Sequence, residues 1–310
     1  MSKVRVEGFR LVSFGESHGV AVGGVIEGCP SGLKIDTQFI VDELARRATG
    51  KTSSESQRRE SDEVEFFSGL LDGVTLGTPI AFMVRNTDAR PKDYEALKNT
   101  YRPSHADYTY QAKYGIRDWR GGGRASARTM LPYVVAGAIA KQILAQQGIE
   151  IHAEVMSIGG ESDPSKIESL LAQCRAEGDT VGGIVHGSIT GLPAGLGEPL
   201  DDKFQASLAK AIFTIPAVKG FEYGDGFAMS AMKGSEANDQ MVVKDETVKF
   251  LSNHSGGIQG GITNGEEVFF NVAFKPIPTI GRGDRHDVCA LPRATVIVEA
   301  MAALTTIRFC

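Results

Sequence analysis

Residues 124–147 read RASARTMLPYVVAGAIAKQILAQQ, a stretch that is apolar over most of its length. It predicts a long apolar helix that ends before Gly148, with Pro132 either kinking the helix or marking its true start. The longest uncharged apolar run, Met130 to Ala140, has about half of the ~20 residues that a membrane-spanning helix needs. We therefore expect a globular protein and not one that spans a membrane.

Further helices and strands are predicted on either side of this stretch. Ile40, Val41 and Leu44 recur on one face of a predicted helix that runs through Ala48, and Asp36 can cap its start. The irregular order of the elements favours an α+β layered fold over a doubly wound parallel sheet. The other predicted helices cover residues 163–178, 201–213 and 292–307, and the β-like runs cover residues 80–84, 149–156, 181–189, 227–232 and 268–274.

Composition limits the class of protein. The 33 Lys and Arg against 38 Asp and Glu give a net charge of −5, which argues against a general nucleic-acid binder. The first residues, MSKVRVEGFR, show no signal-peptide pattern, and the four cysteines are scattered without a CxxC pair. We therefore expect a cytoplasmic protein with free thiols, folded as one domain over residues 1–310 without needing a metal or a disulfide.

Four of the six histidines share one sequence setting. His18, His105, His254 and His286 each lie in a polar, turn-prone stretch beside Gly, Pro or a carboxylate. Histidine titrates near neutral pH and serves as a general acid or base, and loops on a rigid scaffold commonly carry functional sites. These four are candidate proton-transfer groups. The other two, His152 and His186, lie in β-like runs, where a structural role has the same weight as a functional one.

Arginines are clustered between residues 46 and 128. The segment 117–128, RDWRGGGRASAR, places three glycines directly before a helix start with Arg on both sides. Backbone N–H groups and guanidinium forks at a helix N-terminus form a phosphate cradle. For any single arginine, pairing on a solvated face with an acid such as Glu60 or Asp118 has the same weight as anion binding. The 37 glycines exceed the usual share of about 7%, and we attribute the excess to backbone brought close to a ligand.

Standard nucleotide and metal motifs are not expected here. No GxGxxG occurs, and residues 45–52, ARRATGKT, match only a loosened P-loop that ends a predicted helix instead of following a strand. No pair of His or Cys has ligand spacing on one element, so we expect no metal. The residues alone predict a cytosolic enzyme that binds a small, multiply anionic ligand and moves protons with histidine.

Eight motifs carry a resemblance to a known family. They are, in chain order, Phe14-Gly15-Glu16-Ser17-His18-Gly19, Gln57-Arg58-Arg59-Glu60, Arg102-Pro103-Ser104-His105-Ala106-Asp107-Tyr108, Lys113-Tyr114-Gly115 with Arg120-Gly121-Gly122-Gly123-Arg124, Pro193-Ala194-Gly195-Leu196-Gly197-Glu198-Pro199, Ala217-Val218-Lys219-Gly220, Asn253-His254-Ser255-Gly256-Gly257-Ile258, and Arg285-His286-Asp287. All eight follow the order of the chorismate synthase family, which the chain resembles over nearly its whole length.

The resemblance implies a lyase that converts 5-enolpyruvylshikimate 3-phosphate to chorismate and phosphate by a 1,4-anti elimination, with reduced FMN that is not consumed overall. It also implies a layered β-α-β sandwich, with helices between antiparallel sheets, and assembly as a homotetramer. In the family, one histidine assists the leaving phosphate, which His18 matches, and a second keeps the reduced flavin in its working protonation state, which His105 matches. The matching carboxylate is Asp287, which would relay a proton near flavin N5.

The family's binding residues are carried over one position at a time. Arg47 matches a position linked to the nicotinamide cofactor NADPH in members that reduce their own flavin. Contacts to the anionic groups of the substrate are expected from Arg46, Arg58, Arg59 and Arg128. Contacts to FMN are expected from Arg124, Ala125, Ser126, Ala217, Gly260, Lys275, Pro276, Ile277, Pro278, Thr279 and Arg285.

The chain departs from the family pattern at several places. Ser53 stands where many members have Arg, which weakens the expectation of nicotinamide binding. Asp284 precedes the last motif, and Val288 replaces a usual proline just after it. The stretch 280–285, the region after Ile158 and the C-terminus are also shorter than in the family. A catalytically impaired homologue that binds flavin and anions is therefore the alternative hypothesis.

Overall fold

The computed structural model describes residues 6, 8–48, 61–244, 247–281 and 287–310. The strands in these ranges are β1 (Arg10–Gly15), β2 (Ala21–Glu27), β3 (Val64–Phe66), β4 (Leu70–Leu71), β5 (Val74–Thr75), β6 (Ile80–Arg85), β7 (Glu150–Ile158), β8 (Gly183–Thr190), β9 (Val218–Tyr223), β10 (Met241–Lys244), β11 (Thr247–Phe250), β12 (Ile258–Gln259), β13 (Ile262–Thr263) and β14 (Val268–Phe274). The α-helices are α1 (Thr37–Arg47), α2 (Asp107–Tyr114), α3 (Leu131–Ala145), α4 (Pro164–Glu177), α5 (Phe204–Ile212), α6 (Gly234–Ala237) and α7 (Leu291–Thr306).

Two four-stranded antiparallel sheets form the outer layers. The first has the strand order β1-β2-β6-β3, and the second has the order β7-β8-β14-β9. Strand β14 alternates strictly between buried and half-buried residues, so one of its faces is buried against the core. The predicted antiparallel α+β class is confirmed.

Helices α3 and α7 fill the space between the sheets. Helix α3 contacts β1 and β2 of the first sheet, α7 contacts β7 and β8 of the second, and the two helices pack on each other. Gly137 permits this packing, because a Cβ there would lie 2.6 Å from the Cα of Ala300. Val134, Val135 and Ile139 are completely buried in the same layer. The layered sandwich with helices between antiparallel sheets is thereby confirmed.

The helix predicted over residues 124–147 is shorter than its apolar pattern. Two 3₁₀ turns, Gly123–Ala125 and Ala127–Met130, precede α3, and Pro132 lies in the first turn of the α-helix. Ser126 between the turns is extended, and its side chain accepts a hydrogen bond from the backbone N–H of Arg128. Pro132 therefore marks the true start of the helix and does not kink it. None of the described helices is long and apolar enough to cross a membrane.

The strand predicted over residues 227–232 is wrong. The chain forms a strand earlier, at β9, and then a 3₁₀ helix over Gly226–Ala231. Gly226 has φ 54°, and the backbone N–H of Phe227 donates to Glu222 Oε2 at 3.1 Å. This local hydrogen bond turns the chain away from the sheet, and it leaves Phe227 81% exposed although the run is apolar.

Candidate active site

Three consecutive glycines form the centre of the site. Gly121, Gly122 and Gly123 have φ values of 61°, 83° and 53°, a left-handed backbone that only glycine adopts at little cost. The carbonyl oxygen of Gly123 accepts from the backbone N–H of Ser17 at 3.3 Å. The glycine loop is thereby joined to the segment that follows β1.

His18 lies against the first of these glycines. A Cβ added to Gly121 would lie 2.1 Å from His18 Nδ1 and 2.2 Å from its Cε1. Ser17 Oγ lies 3.1 Å from the same Nδ1, and the Tyr94 ring meets the imidazole edge to face with centroids 4.8 Å apart. The imidazole is 6% exposed, so it has little freedom to move. The glycine loop fixes the position of the first candidate catalytic histidine.

His105 lies against the next glycine of the loop. A Cβ on Gly122 would lie 3.0 Å from His105 Cε1 and 3.1 Å from its Nε2. The preceding carbonyl, of Ser104, accepts a hydrogen bond from Lys275 Nζ at 2.7 Å. Lys275 follows β14, and its backbone N–H donates to the carbonyl of Ala217 just before β9. The second sheet therefore reaches the same site through residues that the sequence places more than a hundred positions away.

Charged groups around His105 set its protonation. Asp107 Oδ1 lies 2.9 Å from His105 Nδ1, and Arg102 Nη2 lies 3.2 Å from it. Burial lowers the pKa of His105, and the positive charges of Arg102 and Lys275 lower it further, while Asp107 raises it. For Asp107 itself burial acts to raise the pKa, but hydrogen bonds from Arg102 outweigh it and hold that pKa at about 2. Near neutral pH the pair is thus a neutral imidazole beside an ionised carboxylate.

A cavity of about 380 Å³ opens along the glycine loop. This volume falls at the lower end of the range of small-molecule sites. Its wall contains the guanidinium groups of Arg117 and Arg124, which can bind an anion, together with carboxylates. The lining residues are Glu16, Ala106, Asp107, Tyr110, Tyr114, Ile116, Arg117, Asp118, Gly122, Gly123, Arg124 and Ala125.

Buried arginines surround the carboxylate of Asp62. Its Oδ2 accepts from Arg47 Nη1 at 3.1 Å, and its Oδ1 accepts from Arg128 Nη1 at 2.9 Å. Burial lowers the pKa of Arg47 to about 10, Asp62 raises it, and the charges of Arg293 and Arg128 lower it. Arg293 in turn donates to Asp287. Among the residues that the structure describes, the cluster contains three guanidinium groups and two carboxylates, an excess of positive charge that favours an anion.

The expected FMN contacts fall into three structural settings. Arg124 lines the cavity and donates to Gly15 O at 3.0 Å and to Ser13 Oγ at 2.8 Å. Ala217 has φ 72° and is joined by its backbone to Lys275. Gly260, in the turn between β12 and β13, has no heavy atom within 4 Å of where a Cβ would be. After Lys275, the carbonyl of Ile277 accepts from Thr180 Oγ1 at 2.8 Å.

Arg46 has a different environment from its neighbour Arg47. Its Nη1 and Nη2 each lie 2.7 Å from an oxygen of Glu299, which is 1% exposed. Glu43 accepts from the same Nη1, and Lys141 Nζ bridges Glu43 and Glu299. This network joins α1, α3 and α7, so it gives Arg46 a structural role. Substrate binding by Arg46 stays a prediction.

The loop histidines do not form one cluster in the part of the chain that the structure describes. His254 lies with Asp225, whose Oδ2 is 2.5 Å from its Nδ1 and raises the pKa of the imidazole. His186 Nδ1 lies 2.9 Å from Asn271 Oδ1 on the second sheet, as a structural histidine does. Four expected residues lie outside the described ranges, namely Arg58, Arg59, Arg285 and His286.

Sequence reasoning did not identify three residues of this region. Tyr94 packs on His18, Asp62 joins two buried arginines, and Arg293 pairs with Asp287. No motif or periodicity distinguishes these positions in the sequence. Among the described residues, no group of three or more His, Cys, Asp or Glu side chains could hold a metal ion.

Comparisons with known proteins show the family of the chain. The sequence model of the chorismate synthase family matches residues 9–310. The chorismate synthase of Porphyromonas gingivalis is 50% identical over 339 residues, covering 96% of this chain and 92% of the relative. That of Christiangramia forsetii is 49% identical over 336 residues, covering 96% and 94%. A crystal structure of a chorismate synthase has a TM-score of 0.80 at 29% identity, covering 98% of this chain and 92% of that one.

Fold and site together define an α+β protein in which a glycine loop contacts two histidines beside a cavity lined by arginines. The matched residues include this loop and both histidines. The chain belongs to the chorismate synthase family, and it is a lyase. Both aligned spans exceed the 310 residues of this chain, so each relative has residues inside the matched region that this chain lacks. That agrees with the shortened stretches noted in the sequence.

Proposed function

We propose that the chain converts 5-enolpyruvylshikimate 3-phosphate to chorismate and inorganic phosphate by a 1,4-anti elimination that requires reduced FMN. One observation carries the proposal: His18 and His105 contact adjacent glycines of a loop beside a cavity that arginines line. An elimination needs a proton for the leaving phosphate and an acceptor for the ring proton, and the two histidines are suited to proton transfer. Nothing in the comparisons favours a catalytically impaired homologue.

The residues present fit a flavin mononucleotide. Gly121 and Gly122 let the loop backbone approach His18 and His105, where a Cβ would clash with the imidazole rings, and Gly260 borders open space. Arg124 and Lys275 supply positive charge for the phosphate group. FMN would be held by these residues together with Ala125, Ser126, Ala217, Pro276, Ile277, Pro278 and Thr279, and by Arg285 outside the described ranges.

When bound, reduced FMN supplies electron density to the substrate during the elimination and regains it, so that it is not consumed overall. The C–O bond to phosphate and a ring C–H bond break, and a new C=C bond forms. His18 donates a proton to the departing phosphate oxygen. His105 is neutral beside Asp107, and its Nε2 is directed toward the glycine loop. In this proposal it keeps the reduced flavin in its working protonation state. Asp287, held by Arg293, would take up the proton released from the ring C–H bond and relay it away from the site.

Substrate anions are bound by the arginine cluster in this proposal. Arg128 is 4% exposed, and Arg47 is 5% exposed beside it, so both act in a water-poor environment where their charges interact strongly with an anion. Arg46, Arg58 and Arg59 complete the expected set. The nicotinamide role expected for Arg47 would require NADPH to approach this buried cluster, and the loss of an arginine at Ser53 weakens that role.

The cellular setting is proposed on the same basis. We infer a cytoplasmic enzyme of one domain over residues 1–310, assembled as a homotetramer, with no nucleic-acid or membrane partner. NADPH is the candidate reductant if the chain reduces its own flavin. Size-exclusion chromatography with light scattering tests the assembly, and a monomer at micromolar concentration would contradict it.

The reaction is tested by phosphate release. The protein is incubated anaerobically with photoreduced FMN and the enolpyruvyl substrate, and phosphate is measured against a control with oxidised FMN. We expect turnover only with reduced FMN. Flavin binding with no phosphate release would contradict the proposed reaction, and weak FMN binding even with substrate present would favour the impaired homologue.

Gly121→Ala is expected to lower kcat by about 10²-fold, because the new Cβ displaces the His18 ring and an error of about 1 Å has that effect. Gly115→Ala is the matched control, since Gly115 has φ 72° but no heavy atom within 4 Å of the added Cβ. Its backbone strain of about 1–2 kcal/mol lowers thermal stability and leaves kcat unchanged. Equal kcat values in the two variants would show that the glycine loop does not position His18 for catalysis.

A further inference from the structure

Asp107 has an unusual concentration of hydrogen bonds for a residue without an assigned role. Its Oδ2 accepts from the backbone N–H of Arg102 at 3.1 Å and from Arg102 Nε at 2.8 Å. Its Oδ1 accepts from Arg102 Nη2 at 3.0 Å and lies 3.4 Å from Arg117 Nη1. The residue is 3% exposed and begins α2. The carboxylate is therefore held rigidly by the arginine forks.

This rigid carboxylate decides which nitrogen of His105 bears the proton. Oδ1 of Asp107 lies 2.9 Å from His105 Nδ1, a distance at which two lone pairs would repel. A proton on Nδ1 turns the contact into a donated hydrogen bond. The competing arrangement, in which Arg102 Nη2 donates to Nδ1 at 3.2 Å, would leave Asp107 facing an unprotonated nitrogen and is disfavoured.

The other ring nitrogen then faces the glycine loop. His105 Nε2 would lie 3.1 Å from a Cβ at Gly122, so it faces the backbone of that residue. With the proton on Nδ1, neutral Nε2 has a lone pair available to accept a proton. The same division of roles operates in catalytic triads, where a carboxylate holds a histidine in one tautomer.

We propose that Asp107 is a positioning residue that locks His105 in the tautomer with its proton on Nδ1, so that Nε2 accepts or returns a proton at the glycine loop. Arg102 and Arg117 hold the carboxylate ionised and fixed. That Nε2 serves the reaction rests on the proposed function, whereas the tautomer itself does not.

The charged groups facing His105 come from several parts of the fold. Arg102 and Asp107 approach from its own segment, Arg117 approaches Asp107 from the loop after α2, and Lys275 approaches from the end of β14. Arg102 and Lys275 lower the pKa of His105, and Asp107 opposes them. Asp107→Asn removes the opposing negative charge, so the His105 titration is expected to move to lower pH.

The test is nitrogen NMR of protein labelled with ¹⁵N-histidine, which needs no turnover. The six histidines give few signals, and His105→Gln identifies those of His105. In the wild type above the titration we expect a protonated Nδ1 and an unprotonated Nε2. A proton on Nε2 in the wild type would overturn the proposal.

Asp107→Asn adds two readouts. We expect a mixture of His105 tautomers, and a kcat/KM profile whose His105 limb moves to lower pH, with kcat reduced by up to about 10⁴-fold, as when the carboxylate of a catalytic triad is replaced by an amide. Asp118→Asn is the matched control for the tautomer, because Asp118 lines the same cavity but pairs with Arg120. An Asp107→Asn variant with the wild-type tautomer and pH profile would contradict the proposal. If the wild type shows the expected tautomer but releases no phosphate, only the proposed function is contradicted.

Discussion

His18→Ala and His105→Ala are each expected to lower kcat by about 10²–10⁴-fold, the usual range for a lost general acid or base. Both imidazoles are packed against the glycine loop, so alanine removes the proton-transfer group and leaves the loop backbone in place. KM should change less than kcat, because the arginines that we propose to bind the substrate anions are unaltered. Steady-state phosphate release under anaerobic conditions gives both constants.

A histidine outside the site provides the control. The side chain of His152 is 70% exposed on β7, so His152→Ala should keep wild-type kcat. FMN titration of all three variants shows whether the cofactor still binds. Wild-type turnover in His18→Ala or in His105→Ala would remove the proton-transfer role from that residue, whatever the result for the other.

Asp62→Ala is expected to lower the free energy of unfolding by about 3–5 kcal/mol, the typical effect of removing one partner from a buried ion pair. The side chains of Arg47 and Arg128 are 6% and 4% exposed, and Asp62 is the carboxylate between them. Without it, two buried guanidinium groups repel each other at low local dielectric. Urea unfolding followed by circular dichroism measures the change.

An exposed ion pair on the first sheet, between β3 and β6, serves as the comparison. Glu65 pairs with Arg85 at 2.6 Å, with side chains 38% and 55% exposed, so Glu65→Ala should change stability by no more than about 1 kcal/mol. Asp62→Asn keeps the shape of the side chain and should have an intermediate effect. Equal losses for Asp62→Ala and Glu65→Ala would show that the buried carboxylate does not stabilise the arginine cluster.

Local chemistry explains which elements were predictable. Asp36 accepts from the backbone N–H groups of Gln38 and Phe39 at 2.9 and 3.1 Å, so the predicted start of α1 is confirmed. Asp163 likewise caps α4 through Ser165, and Gly178 ends that helix in the left-handed conformation. These signals lie within a few residues of one another, and they act in the same way in any fold.

Strands β1 and β2 had no comparable signal. Gly23 and Gly24 in β2 suggest a turn, yet they are buried in the sheet. A Cβ on Gly23 would lie 2.4 Å from the carbonyl oxygen of Phe82 and 2.5 Å from the ring of Phe14. Glycine is needed there because neighbouring strands supply the atoms that fill the space, which no local pattern can indicate.

The sequence by itself determined the kinds of groups in the site: a triple glycine flanked by arginines, and histidines in polar loops. Its motifs also determined the family, which the comparisons confirmed. Only the tertiary structure decided that His18 meets Gly121 and His105 meets Gly122, and that Asp107 and Asp62 hold their charged neighbours. The physical reason is that a side chain acquires its pKa, its tautomer and its partners from burial and from charges that the fold brings together. The order of residues alone shows neither the burial of a side chain nor the charges that surround it.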